Sequence, residues 1–140
     1  MVSNLFELYK LIRRFEGCRL IPYWCPAGVL TCGWGSTGQD VFPGKAWTQE
    51  YADKRMEMDA LRFAMGALRL CPGLVATQLS AIADFAYNLG LGALQGSTLR
   101  KRLNAGDYDA AKVEIRKWVN GGGRKLPGLV LRREAEAALL

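Results

Sequence analysis

Glu16, Cys25 and Thr31 are the residues of this chain whose types and spacing could do chemistry. They lie in the stretch RFEGCRLIPYWCPAGVLTCGWGST, where one isolated carboxylate sits among aromatic, glycine and cysteine residues, nine positions before Cys25, which is itself six before Thr31. A carboxyl group can give a proton. A thiol accepts or donates only weakly but carries negative charge as thiolate, and a hydroxyl both donates and accepts. Together they read as an acid, a polar holder of water and a hydroxyl on one wall, followed by the turn Gly33-Trp34-Gly35-Ser36-Thr37.

The elements around these residues are legible from periodicity and punctuation. Asn4 caps a helix with Glu7 three residues on, and Leu5, Leu8, Leu11, Ile12 and Phe15 fall on one face at helical spacing. Glu16 ends this helix, over 1–13 and the residues just after, because Gly17 stops it. Residues 19–23 and 29–34 read as short strands joined through Pro26-Ala27-Gly28, and 35–44 as a turn-rich return with third-strand character. So small a sheet cannot bury its own face and must pack on a helix or wall a groove.

Thr48 caps a long helix over 48–71 that ends at Cys71-Pro72-Gly73, with Ala52, Met56, Ala60, Phe63, Ala64, Ala67 and Leu68 apolar and Arg55, Glu57, Asp59 and Arg62 available for solvent. Beyond it the pattern is helical with glycine stops. Thr77 caps a helix closed by Gly90-Leu91-Gly92, Ser97 caps one closed by Gly106, and Asp107 caps 108–119. Residues 120–128 read as a mobile glycine loop, and 129–140 as a final helix with Arg132, Arg133, Glu134 and Glu136 on its wetter side.

Composition narrows the classes. A chain of 140 residues with 50% hydrophobic and 23% charged residues is an ordinary globular domain rather than a disordered segment. The formal charge of +6 favours polyanionic partners without choosing among nucleic acid, lipid headgroups and bacterial wall. The basic residues are scattered over several segments and no nucleic-acid reading motif is present, which argues against nucleic acid. Four cysteines at 18, 25, 32 and 71, with no CxxC pair and no histidine, exclude a zinc pattern, and Cys18, Cys32 and Cys71 read as small buried hydrophobes. The triple glycine lacks the Gly-Lys-Ser/Thr ending of a phosphate loop. No apolar run is long enough to anchor the chain in a membrane, so the reading is a protein made soluble in the cytoplasm.

The chain resembles the phage lysozymes (endolysins) of glycoside hydrolase family 24 over nearly its whole length. The family spacing of Glu, then Asp or sometimes Cys, then Thr and a Gly-aromatic-Gly turn is met by Glu16, Cys25, Thr31 and Gly33-Trp34-Gly35. The second half carries Ala86-Tyr87-Asn88-Leu89-Gly90, Ser97-Thr98-Leu99, Leu103-Asn104-Ala105-Gly106, Trp118, Gly128-Leu129 and Arg132-Arg133-Glu134. Two departures stand out: the commoner Asp is Cys25, and a histidine frequent after the glycine turn is Ser36, which removes a local ion-pair partner.

The resemblance implies an α+β, mainly α, lysozyme-like fold in a single domain over 1–140. A sheet-containing lobe near 14–47 and a helical lobe near 74–140 would be joined by the long helix, with a cleft between them. It implies a muramidase cutting the β-1,4 bond between N-acetylmuramic acid and N-acetylglucosamine in peptidoglycan. Glu16 would be the general acid, Cys25 and Thr31 would position water, and Tyr23, Trp34, Asn88 and Trp118 would contact substrate, with no metal and no cofactor. From the residues alone, Asn88 reads equally as a helix-end hydrogen bonder and Trp118 as core. Partners implied are peptidoglycan and a holin-type membrane protein for release. The chain itself would be a monomer without nucleic acid or stable membrane association, stored in the host cytoplasm and acting at the wall. Open alternatives are a weak or inactive wall-binding homologue and a retaining mechanism through Cys25.

Overall fold

Helix α1 spans Phe6–Glu16 in the computed structural model, which describes residues 4–140. Residues 1–3 of the helix read over 1–13 lie outside the described residues. The Asn4 side chain accepts from Phe6 N–H at 3.1 Å, but the Leu5 carbonyl takes the first helical hydrogen bond, from Tyr9, so the cap falls one residue later than the sequence puts it. Two strands follow, β1 (Arg19–Trp24) and β2 (Leu30–Gly33), paired antiparallel with Tyr23 opposite Thr31 and Arg19 opposite Gly33. No third strand joins this sheet among the described residues; the return contributes only a bridge from Cys32 to Ser36.

The long helix, α2, runs Gln49–Leu70, capped by Thr48 Oγ1 accepting from Tyr51 N–H at 3.0 Å. Then come α3 (Ala76–Leu89), α4 (Leu91–Gln95), α5 (Thr98–Asn104), α6 (Tyr108–Ile115), β3 (Asn120–Gly121), β4 (Arg124–Lys125) and α7 (Pro127–Ala137). Ser97 and Asp107 accept from N–H groups of Arg100 and Ala110, as their cap positions require. Before α3 the residue at the cap is Val75, not Thr77, and its N–H donates to the Gln78 side chain at 3.0 Å. The short α4 has no sequence signal, since glycines flank it on both sides.

The glycine loop is a correction to the sequence reading. Residues 120–125 form a hairpin of two two-residue strands, so strand structure is not confined to the first third of the chain. Gly122 at φ 59° and Gly123 at φ 81° supply the two consecutive left-handed residues that a tight hairpin turn demands. The preceding helix therefore ends at Ile115, earlier than the sequence predicts.

The chain divides into two compact units, residues 12–59 and residues 1–11 with 60–140, the boundaries falling inside α1 and α2. The first unit has a core of Cys32, Val41, Trp47 and Ala52, with Cys18, Leu20, Leu30 and Trp34 packed on it. The second is built on Ala67, Cys71, Leu79, Ile82, Phe85, Leu94, Leu99, Leu103, Ala111, Ile115 and Ala137. All four cysteines are free, with Cys32 and Cys71 buried and Cys18 half-buried.

The second correction concerns α7. Arg132, Arg133 and Glu136 are not on a wet side: they are 3%, 0% and 0% exposed. The reason is buried complementary charge, because Arg132 makes a two-point ion pair with Asp84 of α3, at 2.8 Å through both Nε and Nη2. Asp59 on α2, also read as solvent-facing, is 7% exposed for the same kind of reason.

Candidate active site

The first unit gathers five of the residues singled out by sequence: Glu16, Tyr23, Cys25, Thr31 and Trp34. Glu16 is the last residue of α1 and is half-buried. Gly35, at φ 88°, lies directly against it: a Cβ at Gly35 would stand 2.7 Å from Glu16 Oε1. Both the backbone conformation and the close approach demand glycine there, which gives the Gly-Trp-Gly turn a physical role as the backstop of the carboxylate.

Cys25 follows β1 and opens a tight turn in which its carbonyl accepts from Gly28 N–H at 2.8 Å and its N–H donates to the Val29 carbonyl at 3.0 Å. The Val29 N–H chiefly, and with it the Ala27 and Gly28 N–H groups and the Thr31 hydroxyl, pull the Cys25 thiol below its usual range, against a smaller opposing effect of burial. Thr31, 5% exposed on β2, also has its Oγ1 donating to the Val29 carbonyl at 3.0 Å. Its single proton can thus serve either the carbonyl or the sulfur, while its lone pairs remain to accept from water.

Tyr23 stands opposite Thr31 in the sheet and carries the Arg19 guanidinium over its ring at 4.0 Å. Burial first and the nearby Glu16 carboxylate second push its phenol up, while Arg19 opposes them. The indole N–H of Trp34 donates to Asp53 Oδ1 at 2.7 Å, which Gln49 also reaches at 2.8 Å. The Trp34 N–H is thus committed to α2.

Sequence reasoning missed the network that ties the glycine turn to α2. Ser36, 2% exposed, donates to Asp59 Oδ2 at 2.7 Å, and Arg55 pairs with Asp59 through Nη1. Arg55 also donates to Asp40 at 2.8 Å and to the Thr37 carbonyl at 2.6 Å, and holds the Asp40 carboxyl below its usual range. The i, i+4 spacing of Arg55 and Asp59 was a visible signal, but such pairs usually face water.

Asn88 and Trp118 belong to the second unit. Asn88, at the end of α3, accepts from Arg133 Nη2 at 2.6 Å. Trp118 sets its ring edge to face against Phe85, with centroids 5.4 Å apart and planes at 90°, and packs on the core. Among the described residues no group of His, Cys, Asp and Glu could hold a metal ion.

An acid at a helix end, a polarised sulfur beside a hydroxyl, and a glycine turn against the acid agree with a known family. The family model for phage lysozyme matches residues 13–136. The chain belongs to the phage lysozyme family. It is accordingly an enzyme, a glycoside hydrolase of the lysozyme class, with an α+β, mainly helical, lysozyme-like fold. An endolysin of Acyrthosiphon pisum secondary endosymbiont phage 1 is 41% identical over 134 residues, 92% of this chain and 91% of that protein. The endolysin of Bacillus phage B103 is 40% identical over 133 residues, but the chain spans only 51% of its length. Among solved structures, the muramidase domain of SpmX from Asticaccaulis excentricus superposes with a TM-score of 0.88 at 28% identity, covering 99% of this chain and 96% of that one. The active form of P1 phage endolysin Lyz gives 0.84 at 29% identity, covering 99% and 84%.

Proposed function

We propose that the chain hydrolyses the β-1,4 bond between N-acetylmuramic acid and N-acetylglucosamine in bacterial peptidoglycan, by single displacement with inversion. Glu16 protonates the leaving glycosidic oxygen as the bond to the anomeric carbon breaks. A water held by Cys25 and Thr31 attacks that carbon from the other side and passes its proton to the sulfur or to solvent. The observation that carries this reading is the placement of Glu16 against the Gly35 turn in the unit that also holds Cys25 and Thr31, where the N–H groups of Val29 chiefly, Ala27 and Gly28, with the Thr31 hydroxyl, lower the Cys25 thiol. They favour negative charge where commoner members of the resembled family place a carboxylate, so a thiolate can orient water and face the positive charge that develops on the sugar. Tyr23, Trp34, Asn88 and Trp118 contact the glycan, the aromatic residues through ring faces.

Replacing Glu16 by Gln keeps shape but removes the proton; lysis of outer-membrane-permeabilised cells should fall by about a thousandfold with folding intact. Wild-type lysis by Glu16→Gln would show that the acid lies elsewhere. The lowered thiol also favours a second reading, in which Cys25 attacks the sugar, forms a thioether and gives a retained product. NMR of the first-formed anomer and mass spectrometry of quenched enzyme separate the two, with inversion and no adduct expected.

Release is part of the proposal: the chain accumulates as a monomer in the host cytoplasm and reaches the wall once a holin-type protein opens the membrane. No helix among the described residues is long and apolar enough to cross a membrane. Expression of this chain alone should leave cells intact until the membrane is permeabilised, and spontaneous lysis would contradict the proposed route.

A further inference from the structure

The half-buried side chain of Asn88 is not free to choose how it hydrogen-bonds. Arg133 has no exposed surface, and its Nη2 donates to Asn88 Oδ1 at 2.6 Å and to Glu136 Oε2 at 3.2 Å. An arginine offers donors only, so the oxygen of the Asn88 amide must be the atom turned toward it. With the oxygen side of the amide turned to Arg133, the NH2 group, a pair of donors, is the part left without a hydrogen-bond partner among the described residues.

Arg133 is a poor residue by the standard of stability alone. Burial holds its guanidinium below the usual range, and its Nη1 has no hydrogen-bond partner among the described residues. Its Nε lies 2.8 Å from Glu136 Oε1, an ion pair that lacks hydrogen-bond alignment, and burial pushes the Glu136 carboxyl well above its usual range. Replacing a buried pair of this kind by apolar side chains is often neutral or stabilising. The packing of the helical unit therefore does not by itself require a charge at this position.

We propose that Arg133 is a positioning residue, turning the Asn88 oxygen toward itself so that the NH2 group is the donor that reads an acceptor oxygen, carbonyl or hydroxyl, on the glycan chain. The inference rests on the proposed muramidase reading and adds to it a residue that never touches the sugar. Asn88→Asp separates the two roles of the amide, because a carboxylate suits Arg133 at least as well but has no N–H to give. The melting temperature should hold or rise, while KM on soluble peptidoglycan fragments rises about tenfold with kcat little changed, the size expected for one lost hydrogen bond. A second variant, Arg133→Met with Glu136→Leu, removes both charges together. It should stay folded and raise KM by a similar factor, adding nothing in the Asn88→Asp background. Wild-type KM in either folded variant overturns the inference, and if one variant fails to fold the other decides. Absence of new reducing ends with the unmutated chain would instead sink the muramidase reading, whereas an active unmutated chain and an Asn88→Asp variant with the same KM sink only this inference.

Discussion

Cys25 is the residue whose chemistry the backbone shapes most directly. Its thiol is drawn down by N–H groups of its own turn, while burial raises Cys32 and Cys71. A lowered value means that thiolate is present at a pH where the buried thiols are still protonated, so alkylation by iodoacetamide near pH 7 should modify Cys25 first. Peptide mapping that found Cys32 or Cys71 labelled ahead of it would refute the turn's effect. If the sulfur works as a charged holder of water, Cys25→Asp supplies a permanent carboxylate at the same place and should keep or raise lysis. Cys25→Ala leaves Thr31 alone with the water and should lower turnover by about a hundredfold, within the range for a group that manages a proton in the transition state. Equal activity in both variants would remove Cys25 from the mechanism.

At the scale of elements, the glycine turn after β2 is held from two sides. Gly35 presses on the carboxylate, and Ser36 and Thr37 are fastened to α2 through Asp59 and Arg55. Ser36 thus takes a hydrogen-bonded place in a charged network although it cannot itself form an ion pair. The arrangement predicts a separable effect for Gly35→Ala. A non-glycine residue at φ 88° is strained by about 1–2 kcal/mol. The added methyl must also displace Glu16, whose Oε1 would be only 2.7 Å away. Thermal melts should show a modest loss of stability and lysis assays a disproportionate one, at least tenfold. If activity fell no further than the loss of folded protein explains, the backstop role would be wrong.

For the molecule as a whole, charge is divided unevenly between the two units. Residues 12–59 hold six Lys and Arg against six Asp and Glu, whereas residues 1–11 with 60–140 hold thirteen against seven, which is the whole net charge of +6. The unit with the candidate acid is neutral and the helical unit is the cation. Attraction to an anionic wall is then a property of the helical unit and is screened by salt, since the Debye length falls from about 10 Å at 0.1 M to about 3 Å at 1 M. Retention of the Glu16→Gln protein on purified walls should weaken several-fold over that range. Lys101→Glu with Arg102→Glu, both exposed on α5, should weaken it at low salt more than Lys54→Glu does on α2. Equal sensitivity of the two units would contradict this division.

The sequence by itself determined the features that depend on local chemistry. Gly17 after Glu16, Thr48, Ser97 and Asp107 at helix starts, and the two short strands are set by conformational preference and by hydrogen bonds between near neighbours. The spacing of Glu16, Cys25 and Thr31 pointed to the family because acid, sulfur and hydroxyl all fall within one local stretch. Other features only the tertiary structure decided. The glycine run became a hairpin because Gly122 and Gly123 both take left-handed angles, a choice that composition leaves open between loop and strand. Arg132, Arg133 and Glu136 look solvent-facing in a helix read alone, since charge normally seeks water. The two arginines are buried because Asp84 and Asn88, more than forty residues earlier, meet them with opposite charge or an acceptor oxygen, and Glu136 is buried with them as the ion-pair partner of Arg133. Periodicity along one helix carries no information about such a partner, so the pairing enters only when α3 and α7 pack.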